Sequence, residues 1–336
     1  MVQDTPNGES GQTDLDEDIA MALVNQVIRP SEDPPEDDAQ ESEAPVGANP
    51  AAASGPQLQD PGWAEAAIAR PDYGERNYVG HHRMMGMRTL ITGGERGIGR
   101  AVALAYAREG ADVAFTYLPE DEQEAEQTVK LIEDAGSRAL ALPGDLQDEE
   151  FCQEAVAQTV AEFGGLNVLV NNAGYQLFTS HGLEDLGNEQ FDRTFKTNVY
   201  ALFWLCKAAL PHLQPGAAII NTSSYQAYQP GRWLIDFAAS KAAVNSMTFS
   251  LAEALGPRGI RVNAVAPGDI GTTAQPSARP AQNPAQEERG ESPLGIPLGR
   301  AGQPAELAAA YVLLATEDSS YISGSVIGVT GGKHLA

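Results

Sequence analysis

From Met87 onward, short apolar runs alternate with longer stretches of helical periodicity. The spacing predicts a strand over 87–91, a glycine-rich turn and a helix through Arg108, then a strand over 112–116 and a helix over 120–135. It continues with a strand over 137–142, a helix over 148–163 and a strand over 167–171, and places later strands at 217–222, 260–266 and 326–330. Strands that alternate with helices build a parallel sheet covered on both faces, so the expected fold is α/β, a doubly wound sheet of about seven strands. The stretch 268–299 is rich in Pro, Gly, Ala and Gln, interrupts the alternation and reads as a lid over a site.

The first 60 residues follow a different pattern. They contain no Phe, Tyr or Trp and one basic residue, Arg29, with an acidic cluster from Glu32 to Asp38. Such a segment buries too little apolar surface to offset its ordering entropy, so 1–60 is expected to be mostly disordered. Leu15, Ile19, Leu23 and Val27 recur at four-residue spacing, Thr13 and Asp16 suit a capping box, and Pro30 stops the run. A short helix over 14–29 follows, either a docking helix for a protein partner or a transient one, since a single short helix is marginal alone. Residues 61–86, with Pro61, Pro71, Gly74 and Gly80, read as an extended lead-in to a domain over 87–336. The adjacent His81 and His82 lack nearby Cys or His companions, and no metal site is expected.

Composition narrows the functional classes. The 336 residues are 42 % hydrophobic, and their net charge of −25 argues against a nucleic-acid partner, because phosphate backbones attract basic surfaces. Cys152 and Cys206 both fall in helical stretches, so a disulfide framework is not expected and a reducing cytoplasm is. Apolar runs such as residues 201–206 are far too short for a membrane span, and the acidic start does not read as a signal peptide.

The candidate chemistry begins at the first strand-to-helix turn, Thr92-Gly93-Gly94-Glu95-Arg96-Gly97-Ile98-Gly99. Glycines allow a tight turn and close approach of a pyrophosphate, and the helix that follows offers free N–H groups and the positive end of its dipole. This is the arrangement of a Rossmann-type dinucleotide site, although the spacing is G-x-x-x-G-x-G. Asn171-Asn172-Ala173-Gly174 follows the fourth strand, and Pro267-Gly268, leading to Asp269-Ile270-Gly271-Thr272, follows the sixth.

With all three motifs in order, the chain from about Thr89 to its end resembles the short-chain dehydrogenase/reductase family. The lead-in from Tyr73-Gly74-Glu75 to Gly80 and the tail Gly331-Gly332-Lys333-His334-Leu335 resemble a bacterial subgroup of uncharacterised oxidoreductases with extended N-termini. The resemblance implies a bound dinucleotide touching Gly93, Glu95, Arg96, Gly97, Ile98 and Gly99 at the turn, and Asp145 and Leu146 at the adenine. It implies Asn172, Ala173 and Gly174 beside the ribose or bracing the sheet, and Pro267, Gly268, Ile270 and Thr272 around the nicotinamide. An acid at the end of the second strand would select NAD(H), but that position is Tyr117; Arg96 inside the turn can grip a phosphate. Both point to NADP(H), with NAD(H) possible.

The resemblance also implies a catalytic set. Asn198 matches the family's Asn behind a water relay, Ser224 the Ser that orients the carbonyl, and Lys241 the Lys that lowers the pKa of a Tyr four residues earlier. That Tyr position holds Phe237, which has no proton to give. Three readings follow: a Tyr replaced by Phe in an otherwise intact enzyme, an enzyme that takes its proton from Ser224, Tyr225, Tyr228 or water, or a retired enzyme that binds NADP(H) as a sensor or scaffold. Tyr225 directly follows Ser224 on a strand end and is expected to point away from it, leaving Tyr228 the freer candidate. Tyr175, Gln226, Tyr228 and Trp233 are expected to line a pocket for a small ketone, aldehyde or secondary alcohol. The family implies a homotetramer or dimer.

Overall fold

The computed structural model describes Met1 and residues 71–179, 181–272 and 295–335. The rest of the acidic extension 1–60, with the helix expected over 14–29, the first ten residues of the lead-in, and most of the 268–299 stretch lie outside the described residues.

Seven parallel strands form one sheet: β1 (Arg88–Thr92), β2 (Asp112–Tyr117), β3 (Ala139–Pro143), β4 (Val168–Asn171), β5 (Ala218–Thr222), β6 (Arg261–Pro267) and β7 (Val326–Val329). Their order across the sheet is β3-β2-β1-β4-β5-β6-β7. The chain winds outward from β1 in one direction and then returns to its other side at β4. That reversal opens a crevice beyond the C-terminal ends of β1 and β4, where open α/β sheets bind ligands.

Among the described residues the α-helices are α1 (Gly97–Arg108), α2 (Glu122–Asp134), α3 (Glu149–Phe163), α4 (Asn188–Phe195), α5 (Ala201–Ala209), α6 (Ile235–Leu255) and α7 (Ala305–Ala315). Helix α1 is buried almost all round, from Ala101 to Ala107, because it lies between the sheet and α7. The Tyr106 hydroxyl crosses to the Tyr311 carbonyl oxygen at 3.1 Å, so a polar tip deep in this core has its partner. On the other face, Cys152, Val156 and Phe163 of α3 pack with Leu202 and Leu205 of α5 beneath Leu90, Leu169 and Ile219 of the sheet. Asp148 caps α3 by accepting from the Glu150 N–H at 2.9 Å, and Gly164 ends it at φ 79°, a conformation that favours glycine.

Residues 71–86 contribute more than a lead-in. Met84 is fully buried in the core beside α1, and Tyr73 is largely buried under the Arg100 guanidinium, 4.8 Å from its ring centroid. The carboxylate of Glu109, at the end of α1, gathers the segment: it accepts from the Tyr78 hydroxyl at 2.7 Å, Arg83 Nη2 at 2.6 Å and the His81 N–H at 2.8 Å.

Between α4 and α5 the backbone passes through one π-helical turn, Lys196–Tyr200. An inserted residue of this kind redirects the side chains around it and is frequent at functional sites. Here it carries Asn198, which is buried.

Candidate active site

The glycine turn forms the floor of the crevice. Gly93 and Gly97 take φ of +65° and +58°, and a Cβ on Gly99 would lie 1.9 Å from the Gly93 carbonyl oxygen. No side chain caps α1, so its first N–H groups are left for a ligand. Thr92 Oγ1 accepts from the N–H groups of Asn172 and Ala173 at 2.9 and 3.0 Å, and Asn172 Nδ2 donates to the carbonyl oxygens of Thr92 and Gly93 at 2.9 and 3.1 Å. The ends of β1 and β4 are thus tied together, and Asn172 braces the sheet.

A cleft of about 540 Å³ runs over this floor, within the size range of small-molecule sites. Its walls bring together most of the residues singled out in the sequence: Gly93, Glu95, Arg96, Gly97, Ile98, Tyr117, Asp145, Leu146, Asn172, Ala173, Gly174, Tyr175, Ser224, Phe237, Lys241, Pro267, Gly268, Ile270 and Thr272. Gly99 stands behind the wall, where its lack of a side chain permits the turn.

At the β2 end, Arg96 Nη1 donates to Asp121 Oδ1 at 3.0 Å, and its Nε lies 3.4 Å from Glu95 Oε1. Burial pushes the Glu95 carboxyl up to about 7, and its Oε2 has no partner. The Tyr117 hydroxyl donates to Glu122 Oε2 at 2.6 Å; burial, then that carboxylate, raise its pKa to about 12. Beyond Tyr117, Glu120 and Asp121 also line the cleft, two acids that position 117 by itself does not reveal. The acidic run after β2 was the available signal, but only the turn Pro119–Asp121 directs it inward. Asp145 accepts from the N–H and the Nε2 of Gln147, both at 2.9 Å, so it stabilises its own turn while lining the cleft.

At the other end, Lys241 is wholly buried, its Nζ donates to the Thr222 carbonyl oxygen at 2.7 Å, and it lies 5.6 Å from the Phe237 ring centroid. Burial lowers its pKa to about 8. Ser224 Oγ accepts from the Gln226 N–H at 3.1 Å, which leaves the hydroxyl hydrogen free to donate to a substrate oxygen. Asn198 Oδ1 accepts from the Tyr175 N–H at 2.7 Å, while its Nδ2 donates to the Tyr175 carbonyl oxygen at 3.1 Å and to Ser240 Oγ at 2.9 Å. Asn198 therefore lies behind the cleft, facing a cavity of about 10 Å³ that it shares with Lys241, Thr197 and Thr222. That is room for one water.

Three expected pocket residues do not line the cleft. Gln226 folds over its own loop: Nε2 donates to the Tyr225 hydroxyl at 2.8 Å and Oε1 accepts from the Gly231 N–H at 2.7 Å. Trp233 accepts from the Thr179 N–H through its carbonyl oxygen and carries the Arg232 guanidinium over its ring. Tyr228 is half-buried at the end of a short 3₁₀ turn that begins with Tyr225, and it does not reach the cleft wall. The chain leaves the strand at Thr222, so the alternation assumed for Tyr225 does not apply; its ring lies under Lys333 Nζ at 4.6 Å. In place of these residues, Gln176, Arg193 and Thr197 line the substrate side. Arg193 lies 4.3 Å from the Tyr175 ring centroid.

Parallel strand order, the switch-point cleft and this constellation define a dinucleotide-binding oxidoreductase fold. A family model described as Enoyl-(Acyl carrier protein) reductase matches residues 93–334. The chain belongs to that family, the short-chain dehydrogenases/reductases, and is an oxidoreductase of that type. It is 49 % identical to the uncharacterized oxidoreductase YhxD of Bacillus subtilis, over 82 % of this chain and 91 % of that protein. It is 37 % identical to the NADPH-dependent aldehyde reductase 1 of Arabidopsis thaliana, over 82 % of this chain and 96 % of that one. Its fold matches the crystal structure of a short chain dehydrogenase from Burkholderia cenocepacia in complex with NADP, with a TM-score of 0.68 and 37 % identity, covering 74 % of this chain and 98 % of that one.

Proposed function

We propose that this chain binds NADP(H) along the cleft and transfers hydride between the nicotinamide and a small ketone, aldehyde or secondary alcohol, with turnover depressed by Phe237. The observation that carries the reading is that Ser224, Phe237 and Lys241 line the same cleft as the glycine turn. The cleft's volume, the uncapped start of α1 and the cation Arg96 fit a phosphate-bearing dinucleotide. The Burkholderia relative's complex with NADP and the Arabidopsis relative's NADPH-dependent aldehyde reductase activity favour this cofactor and an aldehyde-like substrate.

When bound, the nicotinamide supplies or accepts the hydride. Ser224 holds the substrate oxygen through its free hydroxyl hydrogen, and Lys241, buried beneath the cleft, places a positive charge beside it. Phe237 lines the cleft with them and has no proton to give, so turnover by this chain draws its proton from another group. That deficiency supports a second reading, a binding protein that retains the cofactor without redox turnover. The free, buried Cys152 and Cys206 suit a reducing cytoplasm. The exposed Tyr200, Phe203 and Phe249, on and beside α5 and α6, suit assembly into a dimer or homotetramer.

The test is NADPH binding by nicotinamide fluorescence, followed by NADPH oxidation with a panel of aldehydes and ketones, for this chain and Phe237→Tyr. Binding by both, with turnover restored in the variant, supports a disabled reductase. Binding by both without turnover in either supports the second reading, and failure of both to bind overturns the proposal.

A further inference from the structure

Among the described residues, the β2 end of the cleft holds one accessible cation, Arg96, among several carboxylates. Arg96 keeps 37 % of its side-chain surface exposed, yet it is tied to Asp121 at 3.0 Å and approached by Glu95 at 3.4 Å. Glu120 lines the same end. The neighbouring Arg100 is committed elsewhere: Nε donates to the Glu95 carbonyl oxygen at 2.7 Å and to Thr128 Oγ1 at 2.9 Å, and Nη2 donates to the Glu124 carbonyl oxygen at 2.9 Å. Glu122 is taken by the Tyr117 hydroxyl.

These facts set two opposing demands on the cofactor's ribose. A 2′-phosphate needs the Arg96 guanidinium, whose bidentate donors match it well, but must enter beside the Asp121 carboxylate that already uses one of them. A 2′-hydroxyl carries no charge and can donate to a carboxylate acceptor. We infer that Asp121 is a specificity-determining residue: by holding Arg96 and adding a negative charge at its side, it limits the preference for NADP(H) over NAD(H) and supplies the acceptor that lets NAD(H) bind. The inference rests on the dinucleotide reading of the cleft and adds to it a named competitor for the phosphate-binding cation.

The magnitude follows from charge. A dianionic phosphate a few ångströms from a carboxylate is disfavoured about tenfold even with the full dielectric screening of water. The full chain is therefore expected to bind NADPH and NADH with affinities within about tenfold of one another.

The experiment is a fluorescence titration of NADPH and NADH into the full chain, Asp121→Asn, Asp121→Ser and Arg96→Gln, at one ionic strength and one pH. Both Asp121 variants are expected to tighten NADPH about tenfold and to leave NADH unchanged or weaker, whereas Arg96→Gln weakens NADPH about tenfold and spares NADH. A ratio of affinities that stays constant on removal of Asp121, or a shift of both dinucleotides together, overturns the inference while leaving the cleft's assignment intact. Absence of binding by either dinucleotide to the full chain overturns that assignment and the inference with it.

Discussion

Lys241 Nζ lies 5.6 Å from the centroid of the Phe237 ring and donates to the Thr222 carbonyl oxygen at 2.7 Å. A phenol at position 237 would therefore stand beside a buried ammonium, the environment that favours its ionised form and makes it a stronger acid. Phe237→Tyr is expected to raise carbonyl reduction by about 10²–10⁴-fold, and Lys241→Met in that background to remove most of the gain. Steady-state NADPH oxidation measures both.

Glu109 ties the segment 71–87 to the end of α1. Burial alone would raise its pKa, but hydrogen bonds from Arg83, Tyr78 and the backbone prevail and lower it to about 2. A carboxylate with a depressed folded-state pKa adds stability above its ordinary value, and that stability is lost as pH falls toward about 2. Glu109→Gln is expected to cost roughly 3 kcal/mol near neutral pH, because it leaves Arg83 and its other partners with a weaker acceptor. Urea unfolding at pH 7 and at about pH 3 should show the difference shrinking with acid.

Glu95 has the opposite sign. Burial raises its pKa to about 7, so in the folded chain it keeps a proton that the unfolded chain has released between roughly pH 4.5 and 7. Stability from this group therefore falls as pH rises through that window. Glu95→Gln is expected to raise the melting temperature at about pH 8 and to have little effect below about pH 4.5. Melting curves at those two pH values decide it.

Asn198 satisfies both backbone groups of Tyr175 and the hydroxyl of Ser240. Asn198→Leu leaves these buried groups without partners, at a cost of about 1–3 kcal/mol for each one left unsatisfied. It is expected to lower the melting temperature and to weaken NADPH binding, since Tyr175 follows directly on the cleft residue Gly174. Asn198→Asp keeps the acceptor for the Tyr175 N–H and is expected to lose less.

Gly99→Ala would put a methyl group 1.9 Å from the Gly93 carbonyl oxygen, a contact with backbone that no rotamer relieves. Loss of measurable NADPH binding is expected even where circular dichroism shows the sheet and helices intact.

The alternation of elements was legible because strand and helix periods differ, and the observed strands β1 to β7 begin and end within two residues of the expected ones. The glycine turn, the Asn-Asn-Ala-Gly stretch and the Pro-Gly stretch were legible because each meets a local backbone demand. Two features were not. The π-helical turn at Lys196–Tyr200 leaves no mark on apolar periodicity, and the fate of Gln226, Tyr228 and Trp233 depends on how one loop folds over itself. Order along the chain placed those three near Ser224, but hydrogen bonds within the loop hold the Gln226 side chain on the loop itself.

By itself, the amino-acid order determined the doubly wound architecture, the location of the cleft at the ends of β1 and β4, and the absence of a hydroxyl at position 237. All three follow from local pattern or residue identity. Only the tertiary structure decided that Arg96 is shared with Asp121, that the Lys241 ammonium is desolvated against Thr222, and that Glu109 fastens residues 71–87 to the core. Each joins groups from different elements, and the strength of each depends on distance and solvent exclusion, which no spacing along the chain encodes.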